Sequence, residues 1–388
     1  MSEVAQAPHS SPDGRIPQLR FPEFDGVWES RLLKDAVKIN PRSGELPDEF
    51  IYIDLESVKK GYLIKETQIN KIGAPSRAQR LLNKNDVIFQ TVRPYQKNNY
   101  FFNLDGDYVA STGYAQLRVL NSPEFLYQAL HTDRFVYDVM ARSTGTSYPA
   151  INSTDLSKIK LNLPTKPEQQ KIAAFLTAVD NKIEQLSTKQ VLLGEYKKGL
   201  MQQIFSQAIR FKADDGCDFP DWKEKKLGSL CEITTGKLDA NAMVKDGQYR
   251  FYTCAKEYYK IDDYAFDTDA LIVSGNGANV GYIHHYQGKF NAYQRTYVLD
   301  SFTDNIIFVK FVLDEYLHKR IMKEKNEGNT PYIVMGTLTD MKINLPSFSE
   351  QTKISNFLSS IDNKIEQVGK QLDESKQFKK ALLQQMFV

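Results

Sequence analysis

Two stretches of the chain carry apolar residues at alternating steps of four and three. In each stretch eight of ten stepped positions are apolar. The first series is Ile172, Leu176, Val179, Ile183, Leu186, Gln190, Leu193, Lys197, Leu200 and Ile204. The second is Ile354, Leu358, Ile361, Ile365, Val368, Leu372, Ser375, Lys379, Leu382 and Met386. This heptad spacing predicts two long helices, each with one seam facing a partner helix. A helix of roughly 40 residues is about 60 Å long, which is typical of a spacer between domains.

The two stretches are copies of one another. Residues 160–205 align without a gap to residues 342–387, and 22 of the 46 positions are identical. In both copies a glutamate, Glu168 or Glu350, falls in the first helical turn, where a carboxylate suits the helix dipole. Polar seam positions, including a lysine in each copy, can fix the register of a helix pair at some cost in stability. The natural partner of each helix is therefore the other copy.

A segment rich in strand signals precedes each helix, and each segment begins with an aromatic cluster around a tryptophan, Trp28 or Trp222. In the first segment the predicted strands are Phe50–Ile53, Asp86–Val92 and Tyr114–Leu120, followed by one helix from Pro123 to about Met140. In the second segment the predicted strands include Ala270–Val273 and Thr296–Leu299, followed by a helix from about Asn305 to Glu324. The loop 326–332 occupies the place of the earlier loop 145–150. The architecture is repeated while the loop residues differ.

The composition is that of an ordinary globular protein. At 388 residues the chain is long enough for two domains, with 41% hydrophobic and 25% charged residues. No apolar run approaches the length of a membrane span. The cysteines Cys217, Cys231 and Cys254 have neither metal-ligand spacing nor even pairing, so a reducing cytoplasm is the simplest setting.

Charge is unevenly distributed although the net charge is only +2. Between residues 71 and 100, Asp86 is accompanied by six basic residues: Lys71, Arg77, Arg80, Lys84, Arg93 and Lys97. Such a patch can hold DNA phosphates in a nearly neutral chain, but a solvated surface is the alternative. The loop 91–99 within it carries Arg, Gln, Lys and Asn, side chains that can contact guanine, adenine and phosphate. An ordinary charged turn is the alternative here.

Motifs for catalysis are missing from the sequence. Gly275–Gly281 follows a predicted strand, but its third glycine is one place too far for a dinucleotide-binding fingerprint, so we interpret it as a Gly/Asn turn that approaches another surface closely. There is no phosphate-binding loop with Gly-Lys-Ser/Thr, no Asn-Pro-Pro-aromatic motif of an adenine methyltransferase, and no His-Glu-x-x-His. The five histidines form no ligand set.

Three groups of residues resemble one known family. They are Leu19-Arg20-Phe21-Pro22-Glu23-Phe24 with Trp28, then Thr91-Val92-Arg93-Pro94-Tyr95, and the pattern Leu-Pro, Glu-Gln, Ile, Phe-Leu, Asp-Asn-Lys-Ile at 163–183 and again at 345–365. On these residues the chain resembles the specificity subunits of type I restriction-modification enzymes, from about Leu19 to its end. In the second half the Val-Arg-Pro element is replaced by Val273-Ser274-Gly275-Asn276.

The resemblance implies an α+β fold with an internal pseudo-twofold repeat. Two globular target-recognition domains, each reading one half of a gapped DNA sequence, would be separated by two long helices that form an antiparallel coiled coil. The half-sites would then lie about one helical turn apart, roughly 34 Å. The predicted boundaries are a flexible leader at 1–17, a first recognition domain at 18–163, a first spacer helix at 164–208, a second recognition domain at 209–345 and a second spacer helix at 346–388.

The resemblance also implies partners. They are double-stranded DNA, two modification subunits that bind S-adenosylmethionine and methylate adenine, and restriction subunits that hydrolyse ATP and cut DNA. The chain itself would be a non-catalytic, cytoplasmic subunit without a membrane partner. We expect no cofactor on it, and S-adenosylmethionine, ATP and Mg on the partner subunits.

Loop position and side-chain type suggest candidate contacts. Phosphate contacts are expected at Arg77, Arg80, Lys84 and Lys97, and base-edge contacts among Arg93, Gln96, Asn98 and Tyr148. In the second domain the candidates are Asn276, Asn279, Arg295, Asn329 and Tyr332. Outward-facing helix residues expected to touch the modification subunits are Lys182, Glu184, Lys364 and Glu366.

Two other functions stay open at this point. A stand-alone sequence-specific DNA-binding protein would bind its site tightly without partners. A bivalent protein scaffold would grip protein partners with its paired domains and would have no salt-sensitive affinity for DNA. A self-contained methyltransferase is disfavoured because its motifs are missing.

Overall fold

The computed structural model describes residues 15–119, 121–324 and 331–388. Most of the predicted leader, residue Leu120 of a predicted strand and most of the loop 326–332 therefore lie outside the described residues. The chain divides into two compact units. The first unit comprises the residues up to Ser187 together with Lys370–Val388, and the second comprises Thr188–Gly369.

The first unit combines short strands with helices. Its strands are β1 (Glu29–Leu32), β2 (Val37–Ile39), β3 (Glu49–Ile53), β4 (Val58–Lys59), β5 (Tyr62–Leu63), β6 (Thr67–Asn70), β7 (Ala78–Leu81), β8 (Asp86–Gln90), β9 (Tyr100–Phe101), β10 (Tyr108–Ser111), β11 (Tyr114–Val119) and β12 (Lys160–Leu163). Its helices are α1 (Leu33–Ala36), α2 (Pro123–Ala129), α3 (Asp133–Arg142), α4 (Ser153–Ser157) and the first part of α5 (Lys166–Phe205). Single 3-10 turns lie at Lys71–Gly73 and Pro94–Gln96.

Strand β8 lies between two hydrophobic clusters of the first unit. The sheets have the strand orders β6-β3-β10-β7 and β2-β11-β8-β9, and β11 pairs antiparallel with β8. Val87 and Phe89 pack in a cluster with α2 and α3, whereas Ile88 belongs to a second cluster on the other face. Both faces of β8 are thus buried, which explains its continuous apolar run.

The second unit is built around a larger sheet. Its strands are β13 (Lys223–Lys226), β14 (Glu232–Thr235), β15 (Tyr249–Tyr252), β16 (Tyr259–Ile261), β17 (Phe266–Ser274), β18 (Ile283–Ala292), β19 (Thr296–Asp300) and β20 (Lys342–Leu345). Its helices are α6 (Ile306–Glu324), α7 (Met335–Thr339), the last part of α5 and the first part of α8 (Phe348–Met386). The sheet order is β14-β19-β17-β18-β15-β16. Leu271 and Val273 of β17 share a cluster with α6, while Ala270 and Ile272 face the opposite side.

The long helices are present as predicted, and each unit holds the start of one beside the end of the other. In the first unit Ile172 and Leu176 of α5 pack with Leu382 and Met386 of α8. In the second unit the start of α8 packs with the end of α5. Because the start of one long helix packs beside the end of the other, α5 and α8 run antiparallel in each unit. Every predicted seam position is buried or half-buried, so the predicted fold class is confirmed. No helix among the described residues is long and apolar enough to cross a membrane.

The seam lysines form ion pairs across the helices. In the first unit Lys379 Nζ lies 2.5 Å from Asp180 Oδ1, and in the second Lys197 Nζ lies 2.6 Å from Asp362 Oδ1. The two pairs occupy equivalent positions of the sequence repeat. Sliding either helix by one turn, about 5.4 Å, would separate the charges, so these pairs favour a single register.

A buried glutamate stands at the start of each long helix. The carboxylates of Glu168 and Glu350 belong to residues with 0% exposure. Arg20 donates from Nε and Nη2 to the two oxygens of Glu168, both at 2.8 Å. Arg210 donates in the same way to Glu350, at 3.3 and 2.9 Å, and Trp222 Nε1 adds a third hydrogen bond at 3.1 Å. These ion pairs join the segment before each β-rich region to the start of the helix that follows it.

The single helix predicted from Pro123 to about Met140 is wrong. The structure has α2 and α3 in its place, separated by Leu130, His131 and Thr132. The Thr132 hydroxyl accepts a hydrogen bond from Phe135 N at 3.3 Å and caps α3. The apolar periodicity continues across this break, which is why the pattern alone suggested one helix.

His131 lies in a polar cluster where the break meets the helix pair. Its Nδ1 is 2.7 Å from the Tyr127 carbonyl oxygen, and Lys97 Nζ donates to the His131 carbonyl at 2.8 Å. Burial lowers the pKa of His131 to about 4, and the ammonium groups of Lys379 and Lys97 act in the same direction.

Replacing Arg210 with alanine should destabilise the second unit by about 3–5 kcal/mol, because the Glu350 carboxylate would stay buried without its cation. Urea unfolding followed by Trp222 fluorescence in a Trp28→Phe background measures this. Adding Glu350→Gln should recover part of the loss, since it removes the buried charge. Lys226→Ala, which removes the exposed pair with Asp340, is the matched control and should change little. A loss no larger than that of the control would contradict the prediction.

Acid should weaken the first unit through His131. At pH values well above 6.5 this imidazole is neutral in both the folded and the unfolded chain. As the pH falls to about 4, the imidazole becomes protonated in the unfolded chain before it does in the folded chain. Because the unfolded chain binds more protons, about 3 kcal/mol of folding free energy is lost. The difference in unfolding free energy between the protein and a His131→Gln variant, followed by Trp28 fluorescence in a Trp222→Phe background, should shift by this amount between pH 7 and pH 4. A constant difference would argue against it.

Candidate functional site

In the first unit a loop leaves the buried strand β8 and is held by backbone hydrogen bonds to the segment before α4. Arg93 N donates to Pro149 O at 2.7 Å, and Ile151 N donates to Thr91 O at 3.0 Å. This pairing places the Arg93 guanidinium over the ring of Tyr148, 4.8 Å from its centroid. Tyr148 is 65% exposed. Arg93 adopts a φ of 54°, a left-handed conformation that is uncommon for a residue with a side chain and often marks functional loops.

Buried amides fix the shape of this loop. Gln90 Nε2 donates to Val92 O at 2.6 Å and to Gln96 Oε1 at 3.0 Å. The Asn99 side-chain oxygen accepts from Gln90 N at 3.0 Å. The side-chain oxygen of Gln96 therefore accepts a hydrogen bond from Gln90, the last residue of β8.

Two other predicted contacts are engaged within the first unit. Lys97 Nζ pairs with Asp133 Oδ1 at 2.7 Å. The Asn98 side-chain oxygen accepts from Lys60 N at 2.9 Å. A DNA phosphate at Lys97 would have to compete with Asp133 for the ammonium.

The other basic candidates of the first unit differ in exposure. Arg77 is exposed, and Lys84 lies 3.1 Å from Asp105 in an exposed ion pair. Arg80 in β7 is half-buried, and its Nε has no hydrogen-bond partner among the described residues. Burial lowers the pKa of Arg80.

The second unit repeats the arrangement with different side chains. Ile333 N donates to Gly275 O at 2.8 Å, and Asn276 pairs with Tyr332 as an isolated antiparallel bridge. Gly275 N also donates to Arg295 O at 2.9 Å. A Cβ at Gly275 would come within 2.3 Å of that oxygen, so the close approach expected of this turn is present and requires glycine.

The structure thus brings Asn276, Arg295 and Tyr332 to one loop cluster. Arg295 is exposed, and Tyr332 is 56% exposed. Asn279 is directed to a neighbouring loop, where its Nδ2 donates to Cys254 O at 3.1 Å. Asn329 lies outside the described residues.

One cluster of the second unit was missed from the sequence. Arg250 lies between the rings of Tyr258 and Tyr286, with its guanidinium carbon 4.4 and 4.2 Å from their centroids. The available signal was the interleaving of aromatic and basic residues in 249–260, which is typical of nucleic-acid-binding surfaces.

The helix residues predicted to meet partner subunits, Lys182, Glu184, Lys364 and Glu366, are all exposed. Sequence reasoning missed two aromatic residues on the same helices. Tyr196 and Phe378 occupy equivalent positions of the repeat and are 56% and 53% exposed.

An open groove of about 780 Å³ lies in the first unit, between the start of α2 and the first turns of α5. Its lining offers amides, hydroxyls and alanines, with Glu124 as the one ionisable side chain among the described residues. No group of three or more His, Cys, Asp or Glu in the described part of the chain could hold a metal ion.

Comparison with known proteins finds the same family profile in both halves of the chain. A family profile described as "Type I restriction modification DNA specificity domain" matches residues 26–193 and 220–375. The EcoDI specificity subunit of Escherichia coli is 42% identical over 168 residues, which are 42% of this chain and 37% of that protein. The MjaVIII specificity subunit of Methanocaldococcus jannaschii is 25% identical over 274 residues, 63% of this chain and 64% of that protein. The alignments thus span less than two thirds of either relative.

Solved structures share the fold. The type I restriction-modification S subunit from M. genitalium superposes with a TM-score of 0.66 at 18% identity, covering 96% of this chain and 99% of the other. A chain from a study of complex assembly and conformational transition of the type I system gives a TM-score of 0.54 at 22% identity, covering 92% and 96%. At these identities the similarity establishes the fold alone.

Proposed function

Because the chain belongs to the family of type I restriction-modification DNA specificity domains, we propose that each of its two units reads one half of a bipartite, gapped DNA target. The observation that carries this proposal is the repeated backbone junction with unlike side chains. The end of β8 and the end of β17 each pair with the segment before a short helix. One junction presents Arg93 on Tyr148, and the other presents Asn276 beside Tyr332. Because the two junctions share their backbone pairing but differ in their side chains, they are suited to reading two half-sites of different sequence.

In the first unit Arg93 is our main candidate for a base-edge contact. Its guanidinium rests on an exposed aromatic ring, and a planar guanidinium can donate two hydrogen bonds to guanine O6 and N7. Gln96, Asn98 and Tyr148 complete the proposed base-reading group. Phosphate contacts would come from Arg77, Arg80, Lys84 and Lys97. In the second unit the proposed contacts are Asn276, Asn279, Arg295, Asn329 and Tyr332.

The exposed faces of α5 and α8 are the proposed docking sites for modification subunits. The charged candidates are Lys182, Glu184, Lys364 and Glu366. Tyr196 and Phe378 add exposed aromatic rings to the same helices, and aromatic residues are enriched at protein interfaces. Because these positions come in equivalent pairs, they suit two copies of the same subunit. We propose that the chain is non-catalytic and acts in the cytoplasm with restriction subunits. S-adenosylmethionine, ATP and Mg would bind those partner subunits.

Adenine methylation should depend on this chain. In a host that carries the candidate modification subunit, long-read sequencing should detect a gapped, two-part methylated motif only when this chain is also expressed. The same preparation must show that the modification subunit is present and bound. No new methylation under those conditions would overturn the proposal in favour of a protein scaffold or a stand-alone DNA-binding protein. Measuring the DNA affinity of the isolated chain at several salt concentrations distinguishes these two, because only the DNA-binding protein would have a salt-sensitive affinity for DNA.

Replacing Arg93 with alanine should relax one position of one half-site. Loss of a bidentate contact removes about 1–3 kcal/mol of discrimination between bases. Methylation mapping of the variant measures the relaxed position, and Arg31→Ala serves as the control because Arg31 is an exposed arginine of the same unit, paired with Glu29. An unchanged motif, or equally weaker methylation at every site, would contradict the role of Arg93 in base reading.

A further inference from the structure

Arg250 of the second unit is held in place by three tyrosines. Its guanidinium lies between the rings of Tyr258 and Tyr286, and Nη1 donates to the Tyr252 hydroxyl at 3.2 Å. A guanidinium has five N–H donors. Among the described residues it donates to no other acceptor and pairs with no carboxylate. The group is therefore oriented by its neighbours while most of its donors remain available.

The arginine stands on the side of the sheet that faces away from α6. Tyr252 of β15 is buried in a cluster with Ile272 and Phe290, and this cluster lies on the opposite face of β17 from the residues that pack on α6. The rings of Tyr252 and Phe290 meet edge to face at 5.7 Å. A rigid hydrophobic base thus supports the tyrosine that binds Arg250.

The same cluster adjoins the Gly275–Asn279 turn. The ring of His284 lies 4.9 Å from that of Tyr252, and its Nε2 is 3.1 Å from Ala255 O. One residue earlier, Cys254 O accepts from Asn279 at 3.1 Å. The Arg250 cluster is therefore linked to the candidate loop of the second unit through His284 and the backbone of residues 254–255.

We propose that Arg250 is the guanine-reading residue of the second unit, with Tyr258 and Tyr286 fixing the plane of its guanidinium. This rests on the proposed function. Guanine offers two acceptors, O6 and N7, that match the paired donors of a fixed guanidinium. A phosphate can accept the same two donors, but a phosphate contact carries no base sequence, so only base reading predicts a change in the recognised motif. The first unit contains the same combination, an arginine stacked on a tyrosine, at Arg93 and Tyr148.

The test is methylation mapping with the chain in complex with its modification subunit. Arg250→Lys keeps the positive charge but removes the two-donor edge, so discrimination at one G·C position of one half-site should fall by about 5- to 150-fold. That position should lie in the half-site that Arg93→Ala leaves unaltered. Tyr258→Ala should relax the same position, because the stack that orients Arg250 would be lost. Since the Tyr258 side chain is 42% exposed, this variant keeps the test valid if Arg250→Lys does not fold.

Lys289→Ala is the matched control. Lys289 lies 4.5 Å above the ring of Tyr264 in the same unit, and its loss should leave the motif unchanged. Each variant is checked by co-purification with the modification subunit and by Trp222 fluorescence. A folded Arg250→Lys variant with an unaltered motif would overturn the proposal, as would relaxation in the half-site read through Arg93. If the protein itself produced no gapped motif, the proposed function would fail instead, and the two failures are therefore distinguishable.

Discussion

Each long helix begins with a carboxylate that has no access to solvent, and the surrounding structure depends on how that charge is balanced. Glu168 requires Arg20, and Glu350 requires Arg210, which brings the segment before each β-rich region back to the helix that follows it. The same two regions are joined again by strands, because β1 pairs with β12 and β13 pairs with β20. The first and last strands of each β-rich region therefore lie side by side, so the region that carries the junction loop is closed at its base.

The junctions are preserved by backbone hydrogen bonds, and this leaves their side chains free to differ. Arg93 N and Pro149 O hold one junction, and Ile333 N and Gly275 O hold the other. Neither bond depends on a particular side chain. The exceptions are conformational: Gly275 is required by the close approach of Arg295 O, and Arg93 carries an uncommon backbone angle. On the proposed function, the loop residues that contact DNA could change without loss of the fold.

The sequence was most informative where one pattern persists. Ten stepped positions per helix predicted the seam because a heptad repeat sustained over that length is typical of paired helices and of few other structures. It failed at α2 and α3, where a single capping residue, Thr132, overrides continuing periodicity. The Arg–Glu pairs could not be predicted, since their members are 148 and 140 residues apart. For Arg250 the interleaved aromatic and basic residues of 249–260 were the only signal, because Tyr286 comes close to it only in the folded sheet. Loop 91–99 was identified, yet its internal partners, such as Asp133 for Lys97, emerge only from the structure.

The two seam ion pairs are exchanged between the copies of the sequence repeat. Asp180 and Lys197 of the first copy are equivalent to Asp362 and Lys379 of the second. Each of these lysines pairs with the aspartate of the other copy. The joint is therefore self-complementary. A gene encoding a single half would already specify both sides of it, so two identical products could close the same helix pair. The present chain has the form expected when such a gene is duplicated in tandem and the loops of its two halves then diverge.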